Sequence, residues 1–313
     1  MKILVTGVFG FVGRSLVKSL KRSDVYVVGA GRQLTASNTD AFFVVPDFTD
    51  QVAWQMPLVG CELVIHLAAR VHVMNDDVPD ILTEFRKVNV EGTLRLAQEA
   101  ANAGVKRFIF ISSIKVNGEF TEIDKPFTAQ DAAKPQDAYA ISKYEAEQGL
   151  LLIAQQTGMD VVIIRPPLIY GAGIKANFAS MFKAVKREIP MPLGAIHNKR
   201  SFVYVGNLVS LIESCINHPA AKNQIFLVSD GHDLSTTELL QACATALGVR
   251  SRLLAVPQNL INGCAAILGK QSVAQRLCGN LQVDISKTYT LLNWKPPITV
   301  ADGLKATALA LQG

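Results

Sequence analysis

Residues 2–13, KILVTGVFGFVG, pass from an apolar run straight into three regularly spaced glycines. Lys2–Thr6 reads as a short strand covered on both faces, because its residues are nearly all apolar rather than alternating. Gly7, Gly10 and Gly13 fall where that strand gives way to a helical pattern over 11–22. Glycine allows the tight turn and the close approach of backbone to phosphate, and the helix that follows presents free N–H groups to the anion. A glycine-rich turn alone is a weak signal. On the first strand of a β-α-β alternation it points to a dinucleotide, held by Gly7, Phe9, Gly10, Phe11 and Val12.

The alternation continues outward from there. Strand candidates are Lys2–Thr6, Val25–Ala30, Phe42–Val45, Leu63–His66, Phe108–Ser112 and Val161–Arg165, with helical patterns at 11–22, 50–57, 81–103 and 138–157. Short apolar runs alternating with helices predict an α/β fold, a Rossmann-type doubly wound parallel sheet with helices on both faces. After Arg165 the pattern changes. PPLIYGAG (166–173) is rich in Pro and Gly, and is followed by a helix at 177–188, a loop, a strand at Ser201–Val205, a helix at 207–218 and a strand at 225–229. The rest is short helices. The division expected is a dinucleotide-binding domain at 1–168 and 202–230, with a smaller, interleaved domain at 169–201 and 231–313.

Composition narrows the function. With 313 residues, 49% hydrophobic and 18% charged, the chain can bury a large core and is not disordered. A net charge of +5 suits an anionic small substrate, but no lysine–arginine run tracks a nucleic acid. The five cysteines and five histidines are scattered without metal-ligand spacing, so no metal is expected and the thiols read as reduced, in a cytoplasmic protein. The most apolar late segment, 253–269, is interrupted by Pro257, Asn259 and Asn262 and is too short to span a bilayer. It reads as a buried or interface helix.

The second strand ends Gly29-Ala30-Gly31-Arg32. An acid there would bind the ribose hydroxyls of NAD; none is present. Arg32, with Arg14 beside the third glycine, suits a 2′-phosphate instead, which favours NADP(H) over NAD(H). Further on, DAYAISKYEAE (137–147) places Tyr139 and Lys143 four apart at the start of a helix, on one face. A lysine cation beside a phenol favours the phenolate, so the spacing predicts a tyrosine that exchanges protons near neutrality.

Together, G-x-x-G-x-x-G, HLAA (66–69), FISS (110–113) and Y-x-x-x-K resemble the extended short-chain dehydrogenase/reductases, and among them the nucleotide-sugar epimerase/dehydratase group. The resemblance spans essentially the whole chain. It implies that Asp47 and Phe48 lie along the adenine, that Leu67, Ala68 and Ala69 turn beside the ribose and nicotinamide, and that Asn89 is a structural helix position. Pro166 is assigned to the cofactor site with them. It implies that Ser113, or its neighbour Ser112, hydrogen-bonds the reacting sugar oxygen. Tyr139 exchanges its proton, and Lys143 holds the nicotinamide ribose. For the diphosphate it implies Asn177, Phe178 and Arg200, with Arg276 a second clamp. The family's acid after that first arginine is Ser201 here, and a later Asp is Gly206.

SSIKVNG (112–118) lacks the Asp-Glu pair that the resembling 4,6-dehydratases use to eliminate water, so dehydration is not expected. Lys115 stands where many epimerases have a small residue, either as a solvated loop lysine or as a substrate contact. The resemblance extends to a bacterial polysaccharide subgroup containing UDP-4-keto-6-deoxy-N-acetylglucosamine reductases. The first expectation is therefore a C4 keto-reductase using NAD(P)H in surface polysaccharide (O-antigen) synthesis. The second is a UDP-glucose or UDP-N-acetylglucosamine 4-epimerase with retained NAD, and the third a non-catalytic dinucleotide-binding sensor. Helices 81–103 and 138–157 resemble the family's dimer bundle, which implies a homodimer.

Overall fold

The computed structural model describes residues 1–33, 38–46, 54–71, 80–174 and 176–311. Its strands are β1 (Lys2–Thr6), β2 (Tyr26–Gly31), β3 (Ala41–Val44), β4 (Leu63–His66), β5 (Arg107–Ile111), β6 (Asp160–Arg165), β7 (Leu168–Tyr170), β8 (Phe202–Tyr204) and β9 (Gln224–Leu227). Seven of them form one sheet in the order β3-β2-β1-β4-β5-β6-β9. Every pairing in it is parallel. The order reverses between β1 and β4, and the crevice at that reversal is where an open α/β sheet binds its ligand. The glycine turn after β1 and the Leu67–Ala69 turn after β4 both open there.

Two-residue alternation sorts the sheet's side chains between two apolar layers. Ile3, Val5, Ile65, Ile109 and Val162 pack with Leu16 of helix Phe11–Leu20 and Leu208 of helix Val205–Asn217. Leu4, Val64, Phe108, Phe110 and Ile163 pack on the other face with Leu96 of helix Gly92–Asn102 and Leu150 of helix Ala138–Thr157. A third core joins Tyr170, Phe178, Phe182, Leu240, Cys243 and Leu304. The Pro- and Gly-rich stretch after Arg165, to which the sequence assigned no strand, contains β7, which pairs in parallel with β8 as a separate two-stranded sheet. Three residues with an exposed Leu168 carry too little periodicity to announce a strand.

The helical pattern at 81–103 is interrupted. Ile81–Arg86 and Gly92–Asn102 are α-helical, but Lys87–Glu91 between them widens to a π turn. Such bulges are frequent at functional sites. Of the two expectations for segment 253–269, the buried helix is excluded, because helix Gln258–Ile267 has no buried residue at all. An apolar count cannot tell a buried helix from an exposed one; that depends on whether another element covers it.

Candidate active site

The glycine turn is closely packed. Gly7 has φ +70°, and a Cβ on it would lie 2.8 Å from the Ala68 amide nitrogen. On Gly13 a Cβ would lie 2.2 Å from the Gly7 carbonyl oxygen. These glycines therefore let the turn, the first helix and the β4 turn close upon one another. Thr6 ties the two turns together: its Oγ1 accepts from the Leu67 and Ala68 amides, both at 3.2 Å. It also meets His66 Nδ1 at 2.7 Å, and His66 Nε2 meets Thr93 Oγ1 at 2.9 Å. Burial, with the Lys143 cation second, pushes His66 down to about 3, so it is a neutral hydrogen-bonding link. This Thr6–His66–Thr93 chain was not among the sequence expectations, because its members are far apart in sequence and no spacing rule joins them.

Helix Phe11–Leu20 begins at Gly10, which has no side chain to cap it, and its first turn has no acid. Its leading N–H groups and their dipole are thus available to an anion. Phe9 packs against Phe42 at 5.2 Å between ring centroids, with Phe11 and Val12 half-buried beside it. Arg14 gives its Nε to the Phe9 carbonyl at 3.0 Å, so part of its fork is used in shaping the loop. Arg32 is exposed beyond β2. Asp47 and Phe48 lie outside the described residues.

Lys143 reaches the end of β5, next to Ser112 and Ser113 in the chain, and the helix Ala138–Thr157 that carries Tyr139 and Lys143 packs on the turn Ile114–Val116 that follows. That helix starts at Asp137, whose Oδ1 accepts from the Ala140 amide at 2.7 Å. Asn89, in the π turn, braces the same region. Its amide bonds both backbone groups of Arg70, at 2.8 and 3.0 Å, and donates to Ser142 Oγ at 3.0 Å. Ser142 Oγ in turn donates to the Tyr139 carbonyl at 2.8 Å.

In this structure the lysine is aimed at the backbone rather than at the phenol. Lys143 Nζ donates to the Ile111 carbonyl at 2.9 Å and lies 4.4 Å from the Phe110 ring centroid. Burial, partly offset by the Glu147 carboxylate, lowers Lys143 to about 7. Tyr139, half-buried and edge-on to Phe85 at 6.1 Å, is pushed up to about 12 by burial and then by the Asp137 carboxylate. The correction is physical: i,i+4 spacing shares a face, but this ammonium is drawn to a carbonyl at the end of β5.

Ser113 caps the short turn Ile114–Val116, accepting from the Lys115 amide at 3.3 Å. Ser112 Oγ is buried without a hydrogen-bond partner among the described residues. Such an orphan is costly unless something is bound there. Pro166 accepts from the Ile114 amide at 3.0 Å, fixing the turn against the end of β6. Lys115 is partly exposed but paired: it meets Asp137 at 2.5 Å and Glu119 at 3.2 Å. Burial works against its charge, but those carboxylates raise its pKa overall.

Further out, Arg200 is partly buried and gives Nη1 to the Gly279 carbonyl at 3.0 Å. Among the described residues it meets no carboxylate, which leaves the rest of its fork for an anion. Phe178 is buried, stacked on Tyr170 at 5.5 Å; its ring belongs to the third core, so only its backbone can face a ligand. The backbone of Asn177 opens helix Ala176–Lys186. Arg276 is exposed on helix Gln271–Cys278 and turns its Nε to the Ser272 carbonyl of the same helix. Ser201 donates to Asp233 at 2.5 Å, and a Cβ on Gly206 would meet the Tyr204 ring at 2.7 Å. Among the described residues no cluster of acids, histidines or cysteines could hold a metal.

The model of the NAD dependent epimerase/dehydratase family matches residues 3–229. The chain belongs to that family. Within the epimerase/dehydratase family, a UDP-glucose 4-epimerase of Vibrio cholerae is 49% identical over 310 residues, covering 98% of this chain and 94% of the relative. The solved UDP-N-acetylglucosamine 4-epimerase of Bacillus cereus shares the fold with a TM-score of 0.82 at 19% identity, covering all of both chains. A UDP-glucuronic acid 4-epimerase of Bacillus cereus, solved with NAD, has a TM-score of 0.78 at 19% identity, covering 100% of this chain and 99% of its own. Family members of this kind are NAD-dependent enzymes, and the uncapped helix and tight glycine turn fit a dinucleotide.

Proposed function

We propose that the chain is a UDP-sugar 4-epimerase that retains NAD. The reading rests on the near full-length likeness to the Vibrio cholerae enzyme, which favours the second sequence expectation over the reductase. The Gly7–Gly13 turn and the uncapped helix would take the pyrophosphate, and Leu67–Ala69 would flank the nicotinamide half. A bound nicotinamide supplies the hydride acceptor and donor at C4. The residues of the chain handle the proton and the orientation. Tyr139 exchanges the proton of the C4 oxygen, Ser113 and the unpartnered Ser112 hydroxyl orient that oxygen, and Lys143 holds the nicotinamide ribose. As a positioned general acid–base, Tyr139 would contribute about 10²–10⁴-fold. Arg200, with the backbone at Asn177 and Phe178, would clamp the diphosphate. Residues 1–168 and 202–230 would then bind the dinucleotide and the remainder the sugar nucleotide.

The deciding experiment uses purified protein without added nucleotide. UDP-glucose and UDP-N-acetylglucosamine are supplied separately, products are read by NMR, and bound nucleotide is released by denaturation. Conversion to the galacto epimer, with NAD released and activity lost in Tyr139→Phe, is the expected result. A second reading, the NADPH-dependent 4-keto reductase, keeps one supporting observation: β2 ends in Gly31 and the exposed Arg32 rather than an acid. Oxidation of NADPH in step with loss of a UDP-4-keto sugar, without epimerisation, would replace the first reading by this one.

A further inference from the structure

We propose that helix Gln258–Ile267 and the residues around it dock this protein on an anionic lipid surface. The helix has no buried residue. Leu254, Leu260, Ile267 and Leu268 are 56%, 60%, 87% and 69% exposed, a concentration of large apolar side chains unusual for a surface. Along this part of the chain the charge has one sign. Between Glu238 and Asp284 the sequence has no acid and four cations: Arg250, Arg252, Lys270 and Arg276. Arg252 is paired with Glu188 at 3.1 Å; Arg250, Lys270 and Arg276 are exposed.

An apolar helix face flanked by cations matches the boundary between lipid headgroups and acyl chains. A second protein would have to supply acids around an apolar socket to match it, whereas an anionic bilayer presents both in its plane. No described helix is long and apolar enough to cross a membrane, so the contact is peripheral. Position adds to the case. Leu254 exchanges backbone bonds with Met191 and Gly194, and Gly279, just past the second helix, accepts from Arg200. Docking would therefore set the Arg200 side of the cleft close to the lipid headgroups. The inference stands whether the enzyme is an epimerase or a reductase.

The chain carries its own reporter. Cys264, on this helix, is exposed and the other four cysteines are buried, so an environment-sensitive fluorophore can be attached there alone. The full-length protein is mixed with vesicles of phosphatidylethanolamine and phosphatidylglycerol, or of phosphatidylcholine alone, and flotation of unlabelled protein runs in parallel. Expected are flotation and a blue shift with the anionic vesicles, weakened at least tenfold in Leu260→Ser/Ile267→Ser and by high salt, with unchanged thermal melting. Unlabelled protein that stays with the supernatant would overturn the proposal. So would a Ser variant that floats as well as the parent, or a blue shift that follows protein concentration without vesicles, which marks a second copy as the occupant.

Discussion

The sharpest test of how the site is held in place is Glu147. Its carboxylate is fully buried on the helix that carries Tyr139 and Lys143. It receives two bonds from Arg165 on β6, at 2.9 Å from Nε and 2.5 Å from Nη2. Arg165, 3% exposed, gives its remaining Nη1 to Asn117 Oδ1 at 2.9 Å, next to the turn that Ser113 caps. One ion pair thus fastens the tyrosine's helix, the sheet and the serine's turn. Glu147→Ala leaves a buried guanidinium with a single neutral partner, which costs about 3–5 kcal/mol. Unfolding entropy of about 2.1 cal/mol/K per residue, over 313 residues, turns the middle of that range into a melting point lower by roughly 6 °C. Thermal unfolding followed by circular dichroism measures it. The double variant Glu147→Leu/Arg165→Met removes both charges and should recover most of the loss, since the desolvation of both ions is then avoided. A single variant that melts within roughly 1 °C of the parent, or a double variant no more stable than the single, refutes the reasoning.

Three further outcomes follow from the same geometry. Gly13→Ala should abolish dinucleotide retention, because its Cβ would sit 2.2 Å from the Gly7 carbonyl oxygen; Gly263→Ala, where nothing lies within 4 Å, should be neutral or stabilising by about 0.5–1 kcal/mol. Retained nucleotide after denaturation separates the two. Lys143, lowered to about 7 from 10.5, binds fewer protons folded than unfolded between those values, so it penalises the fold fully below pH 7 and progressively less as pH rises toward 10.5. Lys143→Met should therefore melt higher than the parent at pH 6, by a margin that closes toward pH 10; a margin independent of pH would contradict the burial argument. Lys115→Met frees the Asp137 carboxylate beside Tyr139 and should lower kcat, while Lys115→Arg should keep most of it. Equal kcat in both variants would show that the Lys115–Asp137 pair does not bear on the tyrosine.

What was legible in the sequence was whatever repeats at short range. The apolar runs located the six strands of the first half to within a residue or two at each end, because a strand covered on both faces must be apolar throughout. The glycines announced the turn after β1 because only they tolerate its contacts. What escaped has partners far apart along the chain. Thr6, His66 and Thr93 form a single hydrogen-bonded chain, yet no spacing rule joins them. β7 escaped because its pairing with β8 spans more than thirty residues of intervening chain.

The tyrosine–lysine pair shows where a spacing rule stops. Four residues guarantee a shared helix face, and the structure keeps that promise. The rule is silent on what else the face meets. Lys143 meets the Ile111 carbonyl, and Asp137, the residue that caps the helix, sets a negative charge two residues from the phenol. Burial first, and then the Asp137 carboxylate, hold Tyr139 protonated. Lys115 answers part of that charge from across the turn that Ser113 caps. The lysine whose role the sequence left open thus touches both halves of the proposed proton-handling site. Its amide bonds the Ser113 hydroxyl, and its ammonium bonds the cap of the Tyr139 helix. A small residue at position 115 could supply the first of these contacts but not the second. In this chain an acidic cap at Asp137 and a lysine at 115 therefore compensate each other, and replacing either alone should disturb the tyrosine more than replacing both.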